Sequence, residues 1–303
     1  MGVPEAISDA PLGVRPLHPI FAAELVGADL TVPPSAELVR TVSGAMDRYA
    51  VLAVRDAQCS DEDHIRFSRA FGPLELPPAM KGAGEQKRRL RPELFDSSNL
   101  DEHGEIIPYG SERRRLAKGA ELFHTDSSFN HLPTKWSLLR GHIVPPKGGD
   151  THFIDTRAVY DDLDPAMRRR IEDLVVVHDF WRGRERAGLT GVTDAMRATL
   201  PPVRHPLVRT LPYGRKALYI GGHAQGIVGW PEDEALALLD ELYAFATRPH
   251  RIYEHRWRPA DIVIWDNRCT LHRATAFTSD VFKRDMRRTT ISEHGPETAS
   301  DAA

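Results

Sequence analysis

His124, Thr125 and Asp126 stand in a row, and a distant histidine, His272, closes the run Ile262-Val263-Ile264-Trp265-Asp266-Asn267-Arg268-Cys269-Thr270-Leu271-His272. Side chains alternate faces along a strand, so residues two apart share a face. On a strand, His124 and Asp126 would offer one imidazole and one carboxylate to the edge of a metal ion. A third ligand from His272 would complete two histidines and one carboxylate on a single face of the ion. Such a set leaves the opposite coordination positions open, and suits non-haem Fe(II) that must bind a co-substrate and O₂. Alone, the tripeptide carries little. With 14 histidines and 43 acidic residues such pairs arise by chance, and a turn-capping His beside a surface Asp is the simpler account.

Two further groups could hold an anion. Gly148-Gly149-Asp150-Thr151 follows Pro145-Pro146-Lys147. It reads as a tight turn into a strand that opens with the Thr151 hydroxyl; an ordinary hairpin turn explains the glycines as well. Near the C-terminus runs Lys283-Arg284-Asp285-Met286-Arg287-Arg288. On a strand, Arg284, Met286 and Arg288 share one face, and Asp285 and Arg287 the other. Two arginines facing a sheet core are costly unless they meet anions. A dicarboxylate would satisfy them, because guanidinium grips carboxylate in bidentate fashion. A basic surface strand is the equal alternative.

The elements that must position these groups are legible in outline. Residues 37–46 carry Leu38, Val39, Val42 and Met46 at helical spacing, and residues 50–54 read as a buried strand. Ser60 before Asp61, Glu62 and Asp63 caps a helix expected to run to about Phe71 and to stop at Gly72-Pro73. Residues 76–120 are irregular, and a loop of that length before the His-Thr-Asp run suggests a lid. Strands are expected at 136–144, 151–154, 174–178, 203–210, 216–220, 251–256, 261–265 and 288–291. Helices are expected from Pro165, capped by Asp164, and over 231–246. The reading is a mainly β protein: a double-sheet jelly roll with flanking helices.

A chain of 303 residues suffices for one large core. Residues 13–293 are read as a single domain, with 1–12 and 294–303 as loose tails. The net charge of −3 gives no footprint for nucleic acid or an anionic membrane. Two cysteines, Cys59 and Cys269, make neither a zinc-ribbon spacing nor a disulfide framework, which fits a reducing cytoplasm. No signal peptide and no apolar run of about 20 residues is visible.

The ordered motifs resemble one family. His124-Thr125-Asp126-Ser127-Ser128-Phe129 is similar to the first metal motif of the taurine/2,4-dichlorophenoxyacetate dioxygenases. Pro145-Pro146-Lys147-Gly148-Gly149-Asp150-Thr151 resembles that family's turn and its 2-oxoglutarate threonine. Trp265-Asp266-Asn267-Arg268 through His272 resembles its distal histidine motif, and Arg284 to Arg288 its closing arginine motif. The likeness runs from about Leu17 to Ile291. Residues 220–229, with the ending Arg287-Arg288-Thr289-Thr290, look nearest to the aryloxyacetate branch.

The resemblance implies a double-stranded β-helix and an Fe(II)/2-oxoglutarate-dependent dioxygenase. His124, Asp126 and His272 would ligate Fe(II). Thr151 and Arg284 would hold the distal carboxylate of 2-oxoglutarate, and Arg288 would contact either that co-substrate or an anionic group of the substrate. Lys81, Ser127 and His223 are the remaining substrate candidates, with Phe129 on the pocket wall. Some relatives carry Asn four residues before the first iron histidine; here that position is Ala120. The expected substrate is a small anionic aryloxyacetate-type ether, cleaved to a phenol and glyoxylate with succinate and CO₂. The expected setting is a cytoplasmic homo-oligomer that binds neither nucleic acid nor membrane. Oxidation of alkylsulfates or sulfonates by the same fold is the runner-up. A zinc hydrolase using the same triad and a non-catalytic binding jelly roll are the readings from other classes.

Overall fold

In the computed structural model, residues 11–76 and 89–293 are described. In chain order the strands are β1 (Gly13–Pro16), β2 (Ala23–Val26), β3 (Val51–Val54), β4 (Phe95–Asp96), β5 (Thr134–Ile143), β6 (Thr151–Asp155), β7 (Val175–His178), β8 (Val203–Pro206), β9 (Val208–Thr210), β10 (Lys216–Leu218), β11 (Ala224–Ile227), β12 (Tyr253–His255), β13 (Ile262–Asp266), β14 (Thr270–Ala274) and β15 (Asp285–Ser292). The α-helices are α1 (Ala36–Tyr49), α2 (Asp61–Arg69), α3 (Glu112–Ala117), α4 (Thr156–Asp161), α5 (Pro165–Ile171), α6 (Phe180–Arg186), α7 (Asp194–Thr199) and α8 (Glu232–Ala246).

Strand alternation builds four layers. The major sheet runs β1-β2-β3-β13-β5-β15-β4, and a smaller sheet runs β12-β6-β14. From β3, β13 and β5, the residues Leu52, Val54, Ile262, Ile264 and Leu138 turn outward onto Leu38, Val42 and Met46 of α1 and Phe67 of α2. The intervening Val51, Ala53, Val263, Trp265 and Leu139 turn inward with Met286 to meet Phe153 of β6 and Tyr253 of β12. On the far side of the smaller sheet, Ile154 and Leu271 join Leu238, Leu239 and Leu242 of α8. The order is therefore helix, sheet, sheet, helix, a jelly roll with flanking helices. Register carries the consequence for function: in the β6–β14 pair His272 lies opposite Phe153, so its ring enters the space between the sheets.

The helix starts obey the local rules. Ser35 caps α1, and Ser60 and Asp63 form a reciprocal capping box on α2. Asp164 accepts two backbone N–H bonds at the start of α5, with Pro165 at its first position. Two expectations need correction. Residues 203–210 are not one strand: β8 joins the β11-β7-β8 sheet, whereas β9 pairs with β10, and the chain switches between them at buried Leu207. The irregular segment 76–120 holds order in its described part, namely β4 on the edge of the major sheet and α3 capped by Ser111. It is fastened as well: Asn99 takes the Arg284 backbone N–H, and Arg114 bonds Ser279 and pairs with Asp280. Lys81 and nearly all of both tails lie outside the described residues. No helix among the described residues is long and apolar enough to cross a membrane.

Candidate active site

His124 and His272 are held by one reciprocal pair of backbone bonds, His124 N–H to the His272 carbonyl at 3.0 Å and the reverse at 2.9 Å. That isolated bridge brings the two rings to 4.3 Å between centroids. The chain then leaves extended geometry, so His124 and Asp126 do not share a strand. Asp126 begins a turn in which Ser127 takes φ 51°. The outcome matches the expected convergence, by another route. Ligand atoms of His124, Asp126 and His272 all lie within 4.8 Å of one another.

Each ligand is fixed from behind. The Nδ1 of His124 donates to the Leu122 carbonyl at 2.8 Å, which leaves Nε2 as the lone-pair nitrogen. The ring of His272 lies between Phe153 and Trp265, with its Nε2 3.7 Å from Asp126 Oδ2. Asp126 is set by a relay from the neighbouring strands. Asn267 accepts the Asp126 N–H and the Trp265 indole N–H, and donates to Ser137. Ser137 then donates to Asp126 Oδ2 at 2.8 Å, and Arg288 pairs with the other oxygen.

Electrostatics suits a cation. Burial, then the charge of neighbouring His124, pushes His272 down to about 3. Burial also lowers His124. Burial works to raise the Asp126 carboxyl, but Arg288 and the two histidines hold it well below the usual carboxylate range. Two neutral imidazoles and one ionised carboxylate are the donor set that a divalent transition metal takes in facial geometry. The residues present therefore fit Fe(II).

The anion candidates divide. Arg284 is buried at 8% exposure, and among the described residues its guanidinium hydrogen-bonds only carbonyl oxygens, Gly149 at 3.1 and 3.3 Å and Ser97 at 3.4 Å. Burial pushes it down to about 10. Gly149 lies two residues before Thr151, whose hydroxyl accepts the Trp257 indole N–H at 2.9 Å and keeps its own proton for donation. The turn that makes this approach needs its glycines: Gly148 and Gly149 have φ 73° and 72°, and a side chain at 148 would run into the Ala276 carbonyl. Arg288 is already engaged with Asp126 and lies over Phe95.

Among the substrate candidates, Ser127 gives its hydroxyl to Glu75, while Lys81 lies outside the described residues. His223 is buried beside His124, bonded to Ser128 through Nδ1, and flanked by Phe129 and Phe180. Residues that escaped the sequence reading include Ser137, Phe180, Glu75 and Arg184. Glu75 accepts bonds from Ser127, Asn130 and Thr134, and so anchors the turn that carries Asp126. Arg184 lines the recess at His124 and His223. An in-helix glycine beside it, Gly183, was the available signal, since such a glycine marks close packing.

With that geometry in place, similarity to known proteins is informative. Residues 13–290 match the model of the taurine catabolism dioxygenase TauD, TfdA family. The alpha-ketoglutarate-dependent 2,4-dichlorophenoxyacetate dioxygenase of Cupriavidus pinatubonensis is 38% identical over 283 residues, covering 91% of this chain and 96% of its own. The (S)-phenoxypropionate/alpha-ketoglutarate-dioxygenase of Sphingobium herbicidovorans is 35% identical, over 86% of this chain and 88% of its own. The crystal structure of AAD-2 in complex with Mn(II) and N-oxalylglycine superposes with a TM-score of 0.89 at 38% identity, covering 95% of this chain and 99% of that one. The chain belongs to the TauD/TfdA family of dioxygenases.

Proposed function

We propose that this oxidoreductase hydroxylates a small aryloxyacetate-type ether at the carbon between its ether oxygen and its carboxylate. The reaction class is that of the family, a dioxygenase dependent on Fe(II), alpha-ketoglutarate (2-oxoglutarate) and O₂. When bound, the metal with its co-substrate supplies the oxidant for a C–H bond, and succinate and CO₂ are the co-products. A hydroxyl on a carbon that already bears an ether oxygen makes a hemiacetal. Its collapse releases a phenol and glyoxylate.

The observation that carries the reading is the His124–Asp126–His272 cluster together with a buried cation, Arg284, whose guanidinium hydrogen-bonds only carbonyls among the described residues. His124, Asp126 and His272 would hold the metal. Arg284 and the Thr151 hydroxyl would take the distal carboxylate of 2-oxoglutarate by charge-assisted hydrogen bonds. Arg288 orients Asp126 and keeps it ionised, a role beside either of those expected for it. Phe129, Phe180 and His223 offer the aromatic wall that an aryl ring needs. The sequence relatives named above, which act on 2,4-dichlorophenoxyacetate and (S)-phenoxypropionate, support the same substrate class. A hydrolase reading leaves Arg284 without a purpose.

Lys81 and Ser127 remain secondary substrate contacts in this proposal. Residues 76–120 are proposed as a cover over the site. Limited proteolysis of that segment with and without 2-oxoglutarate checks this. The proposal also places the enzyme in the cytoplasm as a homo-oligomer, which light scattering on the purified chain tests in part. The test of function is incubation with Fe(II), 2-oxoglutarate, O₂ and phenoxyacetate. Phenol and succinate in equal amounts support the proposal; sulfate release from an alkylsulfate with no phenol from phenoxyacetate refutes the substrate.

A further inference from the structure

Thr151 is buried at the start of β6, where its backbone lies between His255 of β12 and Ala274 of β14. A hydroxyl carries one proton and two lone pairs, and the proton turns to suit its neighbours. Here a lone pair takes the Trp257 indole N–H at 2.9 Å. An indole nitrogen only donates, so the Thr151 proton gains nothing by pointing back along that line. Among the described residues no acceptor takes this proton. Gly149, at the turn before Thr151, gives its carbonyl to the Arg284 guanidinium. Two buried donors, the Thr151 O–H and Arg284, therefore flank one turn, and neither bonds a carboxylate among the described residues.

The indole that sets this polarity is itself held. Trp257 lies just beyond the end of β12, past the pairing in which His255 faces Thr151. Its ring is 7% exposed and meets His255 edge to face, with centroids 4.6 Å apart. The turn that follows is closed by Asp261, whose carboxylate accepts the Arg258 backbone N–H at 2.8 Å and pairs with Arg55. The same turn is clamped to β5: Gly141 donates to the Asp261 carbonyl at 2.9 Å and accepts from Ala260 at 2.8 Å. A methyl group at 141 would stand 3.4 Å from the Trp257 ring, so β5 backs the indole directly. The direction of the N–H is thus fixed by β5, β12 and the turn after it, not by the threonine.

We propose that Trp257 is a positioning residue for the co-substrate. It fills a lone pair of the Thr151 hydroxyl and so commits the proton of that hydroxyl to the distal carboxylate of 2-oxoglutarate. This rests on the reading that Thr151 and Arg284 hold that carboxylate. Without the indole N–H the hydroxyl is free to turn its proton elsewhere, and binding must first reorient it, which is a loss of preorganisation.

The experiment is a binding titration without turnover. Protein loaded anaerobically with Fe(II) is titrated with 2-oxoglutarate and with 2-oxopentanoate, following the visible metal-to-ligand band. The second acid has the same carbon chain and keto acid group but no distal carboxylate. Trp257→Phe keeps an aromatic ring and removes the N–H. It should raise the 2-oxoglutarate Kd about 3- to 10-fold. The 2-oxopentanoate Kd should stay within about twofold of wild type, since that acid does not use the hydroxyl. Thr151→Val should also raise the 2-oxoglutarate Kd. Adding Trp257→Phe to it should change that Kd by less than about twofold, because the proton the indole directs is already gone. A ring that only supported the fold would weaken both keto acids alike, in either background. Equal weakening of both acids, or a fully additive loss in the double variant, overturns the proposal. If Thr151→Val weakens 2-oxoglutarate and Trp257→Phe does not, the role of Trp257 falls while that of Thr151 stands. If Thr151→Val leaves the 2-oxoglutarate Kd unchanged, the role of Thr151 fails and the proposal with it.

Discussion

Arg284, just before β15, and Arg288 within it follow one alternation yet keep different company. Arg288 neutralises Asp126, whereas Arg284, among the described residues, hydrogen-bonds only main-chain carbonyls. Charge-assisted bonds of the kind Arg284 would make contribute about 1.5–3 kcal/mol each. Arg284→Gln should therefore raise the half-saturating 2-oxoglutarate concentration about tenfold or more, with Fe(II) affinity unchanged. Equilibrium titration of the visible band checks this. Ser137 acts at one remove, since it orients Asp126 Oδ2 and is itself oriented by Asn267. Ser137→Ala should weaken metal binding about 10- to 100-fold, measured by competition with a chromophoric chelator. The ligand triad was legible because its tripeptide came with Thr151, His272 and Arg284 in order. Glu75 and Arg184 were not. One works by collecting donors from a turn whose shape no spacing reveals, and the other is one of several arginines in a basic helix.

At the scale of elements, β15 is the joint of the site. Its site face carries Arg288, with Arg284 just before its start, and its other face carries Asp285 and Arg287, which pair with each other. Arg287 and His142 both reach Asp61 at the start of α2. Burial works to raise the Asp61 carboxyl, yet His142 and Arg287 outweigh it and hold it down at about 2. Its ordinary value is 3.8, so the unfolded chain binds more protons between about 2 and 4. The contribution is fully present above pH 3.8 and is lost as pH falls through about 2. Asp61→Asn should flatten that acid limb in urea unfolding curves taken from pH 5 to pH 2; an unaltered limb would refute the role. The alternation that assigned two faces to residues 284–288 was readable because period two is strict in a strand. The division of residues 203–210 between two sheets was not, because both halves are equally apolar and β-prone. The order in residues 95–117 was hidden for a different reason: its partners, Arg284, Ser279 and Asp280, lie far along the chain.

The whole molecule wraps two sheets around the site and buries histidines it does not use for metal. Burial pushes His64 and His178 down to about 3 each. In the unfolded chain they would take protons at the usual 6.5, so stability should rise with pH from about 3 to 6.5. The melting temperature should fall as pH drops from 7 to 4, and His64→Gln should make that fall shallower. The layered architecture was legible from strand periodicity and the α8 stripe. The convergence of His124 with His272 needed a single backbone bridge that only the folded chain supplies. The most direct test of the account is product analysis with purified protein, phenoxyacetate, Fe(II), O₂ and 2-oxoglutarate. The account predicts phenol and succinate in a one-to-one ratio, and no phenol when either O₂ or 2-oxoglutarate is withheld. Phenol formed in their absence, or succinate formed with no phenol under any loading, would contradict it.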